Sequence, residues 1–70
     1  MLSAATAQSL KQTIIGATGD SDESVRMTAV RYLGQIGSTE DLPLLQRIAD
    51  SNTGFVKDYA LRAMNSIRNR

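Results

Sequence analysis

Val25-Arg26-Met27-Thr28-Ala29-Val30-Arg31-Tyr32-Leu33-Gly34-Gln35-Ile36-Gly37 returns 31 residues later as Val56-Lys57-Asp58-Tyr59-Ala60-Leu61-Arg62-Ala63-Met64-Asn65-Ser66-Ile67-Arg68. Valine, a basic residue, alanine, an aliphatic residue, arginine, leucine or methionine, and isoleucine recur in register. Apolar positions three and four apart belong to one face of an α-helix, and a fixed period of this size marks a chain that stacks copies of one helical unit. The expectation is an all-α protein whose inward faces serve folding and whose remaining surface carries the task.

Upstream, residues 3–17 read as a first helix with Ala7, Leu10, Ile14 and Ala17 along one stripe and Ile15 beside it. Gly19 is placed to supply a positive φ beyond its end. Asp20-Ser21-Asp22 provides a turn and an N-cap for the second helix, whose stripe is Val25, Ala29, Leu33 and Ile36 with Tyr32 alongside, and Gly37 stops it. Ser38 or Thr39 caps a third helix, with Glu40 and Asp41 at its positive end and Pro43 in its first turn, where a missing amide is harmless. Leu44, Leu45, Ile48 and Ala49 form its buried face.

Asp50-Ser51-Asn52-Thr53-Gly54 then reads as a turn, followed by a fourth helix over residues 55–67 whose stripe is Val56, Ala60, Met64 and Ile67. Phe55 is placed as a staple at its start, and residues 68–70 are expected to fray. Short links make neighbouring helices antiparallel. The expected architecture is two stacked helical hairpins in one domain over residues 1–70, with units 1–37 and 38–70. Ala29 and Ala60 hold the same place in each unit, where close helix approach excludes large side chains.

Seventy residues suffice for a single small core. Cysteine and histidine are absent, which excludes disulfides, thiol nucleophiles, imidazole bases and the soft ligands of zinc, copper and iron–sulfur sites. The chain is 41% apolar. It has no apolar run of about 18 residues of the kind that crosses a bilayer, and residues 1–8 lack a basic start with a long apolar centre. A soluble, cytoplasmic protein without membrane association is expected. The net charge of +1 divides into −2 over residues 1–45 and +3 over residues 46–70. That imbalance is small beside what nucleic-acid binding requires, so nucleic acid is a disfavoured partner, reached if at all through Arg31, Lys57, Arg62, Arg68 and Arg70.

Asp20-Ser21-Asp22-Glu23 lacks the ligand spacing of a calcium loop, and Gly16-Ala17-Thr18-Gly19 lacks the lysine and preceding strand of a phosphate loop. The carboxylate pairs Asp20/Asp22 and Glu40/Asp41 sit at helix caps, away from any water-excluding cleft. No catalytic residue, cofactor or metal is expected, and the chain reads as a non-enzyme.

The run from Asp20 to Gly37 resembles the acidic turn and V-R-x-x-A-x-x-x-L-G-x-I-G pattern of short HEAT-like repeats, of the phycobilisome-lyase type. Residues 38–45 are similar to the opening of the next A helix in that family, proline included. The resemblance covers residues 19–67, and the last unit departs from it at Lys57, Met64 and Asn65, where the pattern has arginine, leucine and glycine. It implies a short right-handed α-solenoid acting as a non-catalytic protein-interaction or adaptor module. It also implies, as an alternative, an accessory part in bilin attachment to or removal from phycobilisome proteins. In such repeats the arginine after the valine bonds an acidic residue of an interhelical turn. Carried over, this links Arg26 to Asp20 or Asp22, and Lys57 to Asp50.

Arg31 and Arg62 each lie six residues beyond the repeated valines and off the apolar stripe, so stacked units bring them together. With Gln35, Tyr59 and Ser66, and Asp58 beside them, they form a candidate partner-binding strip; the plain alternative is a solvated helix face. Tyr59 stands where the first unit has Thr28, and an outward aromatic there either anchors a partner or packs over the end of the third helix. Asp20, Asp22, Arg26, Ser38, Asp50 and Lys57 are the candidate turn and capping residues. The expected partner is another protein, helical ones included. Leu10, Ile14, Leu61 and Met64 are candidate apolar edges, which makes a homodimer a further expectation.

Overall fold

Local hydrogen bonding divides the chain into helices much as its turn residues predict. The computed structural model describes residues 4–70, with side chains from Gln8 onward; the expected start at Ser3 and the side chain of Ala7 lie outside the described residues. Helix α1 (Ala4–Ala17) closes where the Thr18 hydroxyl donates to the Ile15 carbonyl at 2.6 Å and the Gly19 amide to Gly16 at 3.2 Å. Gly19 does this without a positive φ. Among the described residues it is Gly54 that occupies the left-handed region, at φ 65°, where it starts α4.

Helix α2 (Glu23–Ile36) begins at Asp22, whose carboxylate accepts the Ser24 amide at 2.8 Å, while the Asp20 carboxylate accepts the Asp22 amide at 2.8 Å. The extended backbone of Gly37 ends it, its amide donating to Leu33 at 2.8 Å. A 3₁₀ turn over Thr39–Asp41 precedes α3 (Leu42–Ser51), which therefore starts later than the turn signals indicate, with Pro43 in its first turn. Helix α4 runs over Gly54–Arg68.

The four helices form two hairpins in an all-α stack. Helices α2 and α4 make the central pair, with α1 packed on α2 and α3 packed on α4. The core comprises Val30 and Leu33 from α2, Leu45, Ile48 and Ala49 from α3, and Val56, Ala60, Ala63, Met64 and Ile67 from α4. Met64, expected at an apolar edge, is thus interior.

Each α2/α4 helix of the pair has two sides, and the stack covers a different one in each. Val25, Tyr32 and Ile36 are 39%, 51% and 45% exposed, whereas their repeat equivalents Val56, Ala63 and Ile67 are 1%, 5% and 4% exposed. The expectation that Val25 and Ile36 line the core is corrected: α2 packs on this leading side of α4, while among the described residues it is α1 that borders the same side of α2. The trailing side is reversed. Val30 of α2 is buried at 0% beneath α4, and its equivalent Leu61 is 44% exposed. Phe55 is also no staple. It is 68% exposed, directly after the left-handed Gly54.

The tightest point of the joint is Gly34 against Ala63. A Cβ built on Gly34 would lie 2.8 Å from the Ala63 Cβ and 3.0 Å from its Cα, inside normal contact. Close approach therefore centres on this pair. Ala60 is fully buried nearby, whereas Ala29 lies at the α1 side of α2 and floors an open groove.

Two long-range polar contacts lock the ends. Lys11 of α1 reaches the buried Asp41 at 2.8 Å, and the same Asp41 oxygen accepts the Ser38 amide at 2.8 Å. Burial alone would raise the Asp41 pKa, but the Lys11 ammonium and the Ser38 amide outweigh it and hold the carboxyl below its ordinary value. With the folded pKa below the unfolded one, Asp41's contribution is complete above about pH 4 and lost as pH falls through the lower folded value. Urea unfolding should show Asp41→Asn about 1–3 kcal/mol less stable than the parent at pH 7, with the gap closing below about pH 4. A gap that persists unchanged in acid contradicts this role.

At the other end, the tail is ordered instead of frayed. The Arg70 guanidinium donates to the Gly37 and Gln35 carbonyls, each at 2.7 Å, and to the Gly34 carbonyl. Gly34 and Gln35 are among the last carbonyls of α2, which have no partner within their own helix, Gly37 is the residue that ends it, and a cation there also suits the negative end of the helix.

Candidate protein-binding surface

The α2–α4 joint leaves a shallow groove of about 180 Å³ on its outer side. Gly34 and Ala63 form its floor, and Arg31, Gln35, Tyr59, Arg62 and Ser66 form its walls. All five predicted strip residues thus meet on one feature, because the 31-residue period sets α2 and α4 side by side in register. Asp58 is not part of the groove. Gly34 is the glycine of the repeat pattern, but Ala63 stands where the first unit has Tyr32, a position the pattern leaves open, so their contact belongs to the helix crossing.

Within the groove the Arg62 guanidinium carbon lies 5.6 Å from the centre of the Tyr59 ring, a cation–π arrangement that pre-orders both side chains. Tyr59 is half-buried and packs against the core at its base. The groove therefore offers two guanidinium groups, an aromatic edge, an amide and a hydroxyl, with no carboxylate in its walls. That inventory suits an acidic, hydrogen-bonding segment.

A second groove of about 380 Å³ runs between α1 and α2, and its surface is almost wholly apolar. Ile14, Val25, Ala29 and Tyr32 line it, and Thr13, Ser24 and Thr28 contribute short polar groups. A third cleft, of about 400 Å³, lies where the α1–α2 turn faces α3, beside Arg26 and Arg47.

The predicted turn residues divide. Asp20 and Asp22 bind backbone amides as described, and the Ser38 amide closes on Asp41. Arg26 anchors the turn through carbonyls, its Nη1 donating to Asp20 at 2.8 Å and Ser21 at 3.0 Å, since both aspartate side chains already hold nearer amides. The expected pairing of Lys57 with Asp50 does not form. Asp50 lies inside α3, where it accepts from Gln46 at 3.1 Å, and Lys57 is exposed. The ion pair formed among the described residues, Lys11–Asp41, escaped sequence reasoning, since nothing in the local pattern aims α1 at the turn after α2.

Among the described residues no helix is long and apolar enough to cross a membrane. No curated protein and no solved structure matches the chain at a significant level. The family model described as HEAT repeats matches residues 1–65, without bearing on the narrower phycobilisome-lyase type. With two stacked helical hairpins in register, an in-line 31-residue period and that match over nearly the whole sequence, the chain belongs to the HEAT repeat family.

Proposed function

We propose that the two units, residues 1–37 and 38–70, form one small non-catalytic adaptor that binds an acidic segment of another protein along the α2–α4 groove. HEAT repeats generally mediate protein–protein interaction and are typically non-catalytic. The observation that carries the reading is the convergence of Arg31, Arg62, Tyr59, Gln35 and Ser66 on one groove, with Arg62 held over the Tyr59 ring. Paired guanidinium groups recognise carboxylates through directed hydrogen bonds, and aromatic and arginine residues dominate binding hot spots.

Selection from a random peptide display library tests it. Binders enriched in aspartate and glutamate are expected, with their contacts mapped by amide chemical shifts to Arg31, Tyr59 and Arg62. Arg62→Glu should weaken such peptides at least about tenfold, or about 1.4 kcal/mol, and leave the thermal midpoint nearly unchanged. Binders indifferent to Arg31→Glu and Arg62→Glu would move the function elsewhere. Binding to DNA or RNA with a steep salt slope would instead favour a nucleic-acid partner.

One observation favours a second reading, self-association. The α1–α2 groove is apolar and has no charged residue in its walls, and Leu10 of α1 and Ile36 of α2 are exposed on the same two helices.

A further inference from the structure

The leading side of α2 is built for a helix neighbour. Val25, Ala29, Tyr32 and Ile36 occupy the repeat positions of Val56, Ala60, Ala63 and Ile67, all buried on α4, of which Ala63 and Ile67 meet Gly34 and Gly37 at the end of α2. The internal joint thus shows what covers such a side: another helix, packed along it.

A head-to-tail copy does not fit. In the α2–α4 joint the two backbones meet through Gly34 and Ala63. In a copy added in the same geometry, those positions would be Asn65 of α4 and Tyr32 of the incoming α2. A tyrosine facing an asparagine cannot reproduce an approach that leaves no room for one Cβ, so open-ended stacking is sterically barred.

A two-fold arrangement does fit. The positions 25, 29, 32 and 36 are spaced four, three and four, a series that reads the same in both directions. Two antiparallel α2 helices then pair Val25 with Ile36 and Ala29 with Tyr32, and each again in reverse. This is the a-to-d pairing of an antiparallel coiled coil, in which large side chains enter holes left by small ones. Ala29 floors the α1–α2 groove, so the tyrosine of the second copy has an apolar recess to enter. The groove walls carry no charge, so two copies bring no like charges together there. The half-buried Ile14 of α1 lines the same groove, and the exposed Leu10 lies one turn before it on α1, so pairing of two α2 helices brings the α1 helices into a four-helix arrangement.

We propose that the chain forms a closed two-fold dimer through α1 and α2, with Val25 opposite Ile36 and Ala29 opposite Tyr32 of the second copy. The proposal deepens the self-association reading and rests on it. Three measurements on the full chain separate the two. Sedimentation equilibrium of the parent should reach twice the monomer mass and no further; a monomer at all concentrations overturns both, and continued growth overturns the closed dimer.

Tyr32→Glu should abolish the dimer with helical circular dichroism retained, while Leu61→Glu, on the opposite side, should leave it. The reverse result keeps self-association and overturns this face. Register is read by cysteines, since the chain has none of its own. An equimolar mixture of Val25→Cys and Ile36→Cys chains should crosslink under mild oxidation into mixed dimers, and neither variant alone should do so efficiently. Each variant carries a single cysteine, so no disulfide forms within a chain and self-linking does not confuse the assay. Equal crosslinking of either variant alone, or none in the mixture, overturns the register.

Discussion

Gly34→Val is expected to unfold the chain or to remove at least about 3 kcal/mol of stability, measured by urea denaturation followed by far-ultraviolet circular dichroism. Propensity argues the other way, since replacing glycine inside a helix gains up to about 1 kcal/mol. Packing wins because the first added carbon already falls 2.8 Å from the Ala63 Cβ and 3.0 Å from its backbone, and that neighbour is no flexible side-chain end. The helices must separate, and α2 and α4 are the central pair on which both outer helices depend. A chain of this size has roughly 4–10 kcal/mol in total, so the loss is a large part of it. Gly34→Ala should already destabilise, and adding Ala63→Gly should recover part of the loss. An unchanged Gly34→Val midpoint would show that the joint is looser than described.

Leu33→Ala is the second large effect, at about 3 kcal/mol, because Leu33 is fully buried among side chains of several helices and its loss leaves a cavity. Ile36→Ala, three residues on, should cost below about 1 kcal/mol in the monomer, since Ile36 is nearly half exposed. Sequence periodicity ranks the two positions equally, so the pair discriminates between a stripe read along α2 and the stack that forms. Equal losses measured at a concentration where the chain is monomeric would mean that the leading side of α2 is covered after all.

The architecture was readable because its causes are local. Helix spacing, the Asp22 cap, Gly37 and the early Pro43 act within a few residues of themselves, and the structure places α2, α3 and α4 near where those signals put them. The period also foretold that Arg31, Gln35, Tyr59, Arg62 and Ser66 would share one surface, since equivalent positions on stacked helices become neighbours. Whether that surface binds an acidic segment is the proposal the peptide selection tests.

Tertiary structure decided what periodicity treats as equivalent. Val25 and Val56 have the same local signal, yet one is 39% exposed and the other buried, because a repeat helix has a leading and a trailing side and each is covered by a neighbour in the stack. The Lys11–Asp41 pair and the Arg70 clamp on α2 likewise join residues 30 or more positions apart, so no pattern within one helix announces them. Sequence alone determined the helices, their order and their repeat, through hydrogen bonding and hydrophobic spacing that act along the chain. Which apolar positions became core, where two backbones touch, and which carbonyls the last arginine caps depended on how the helices cross.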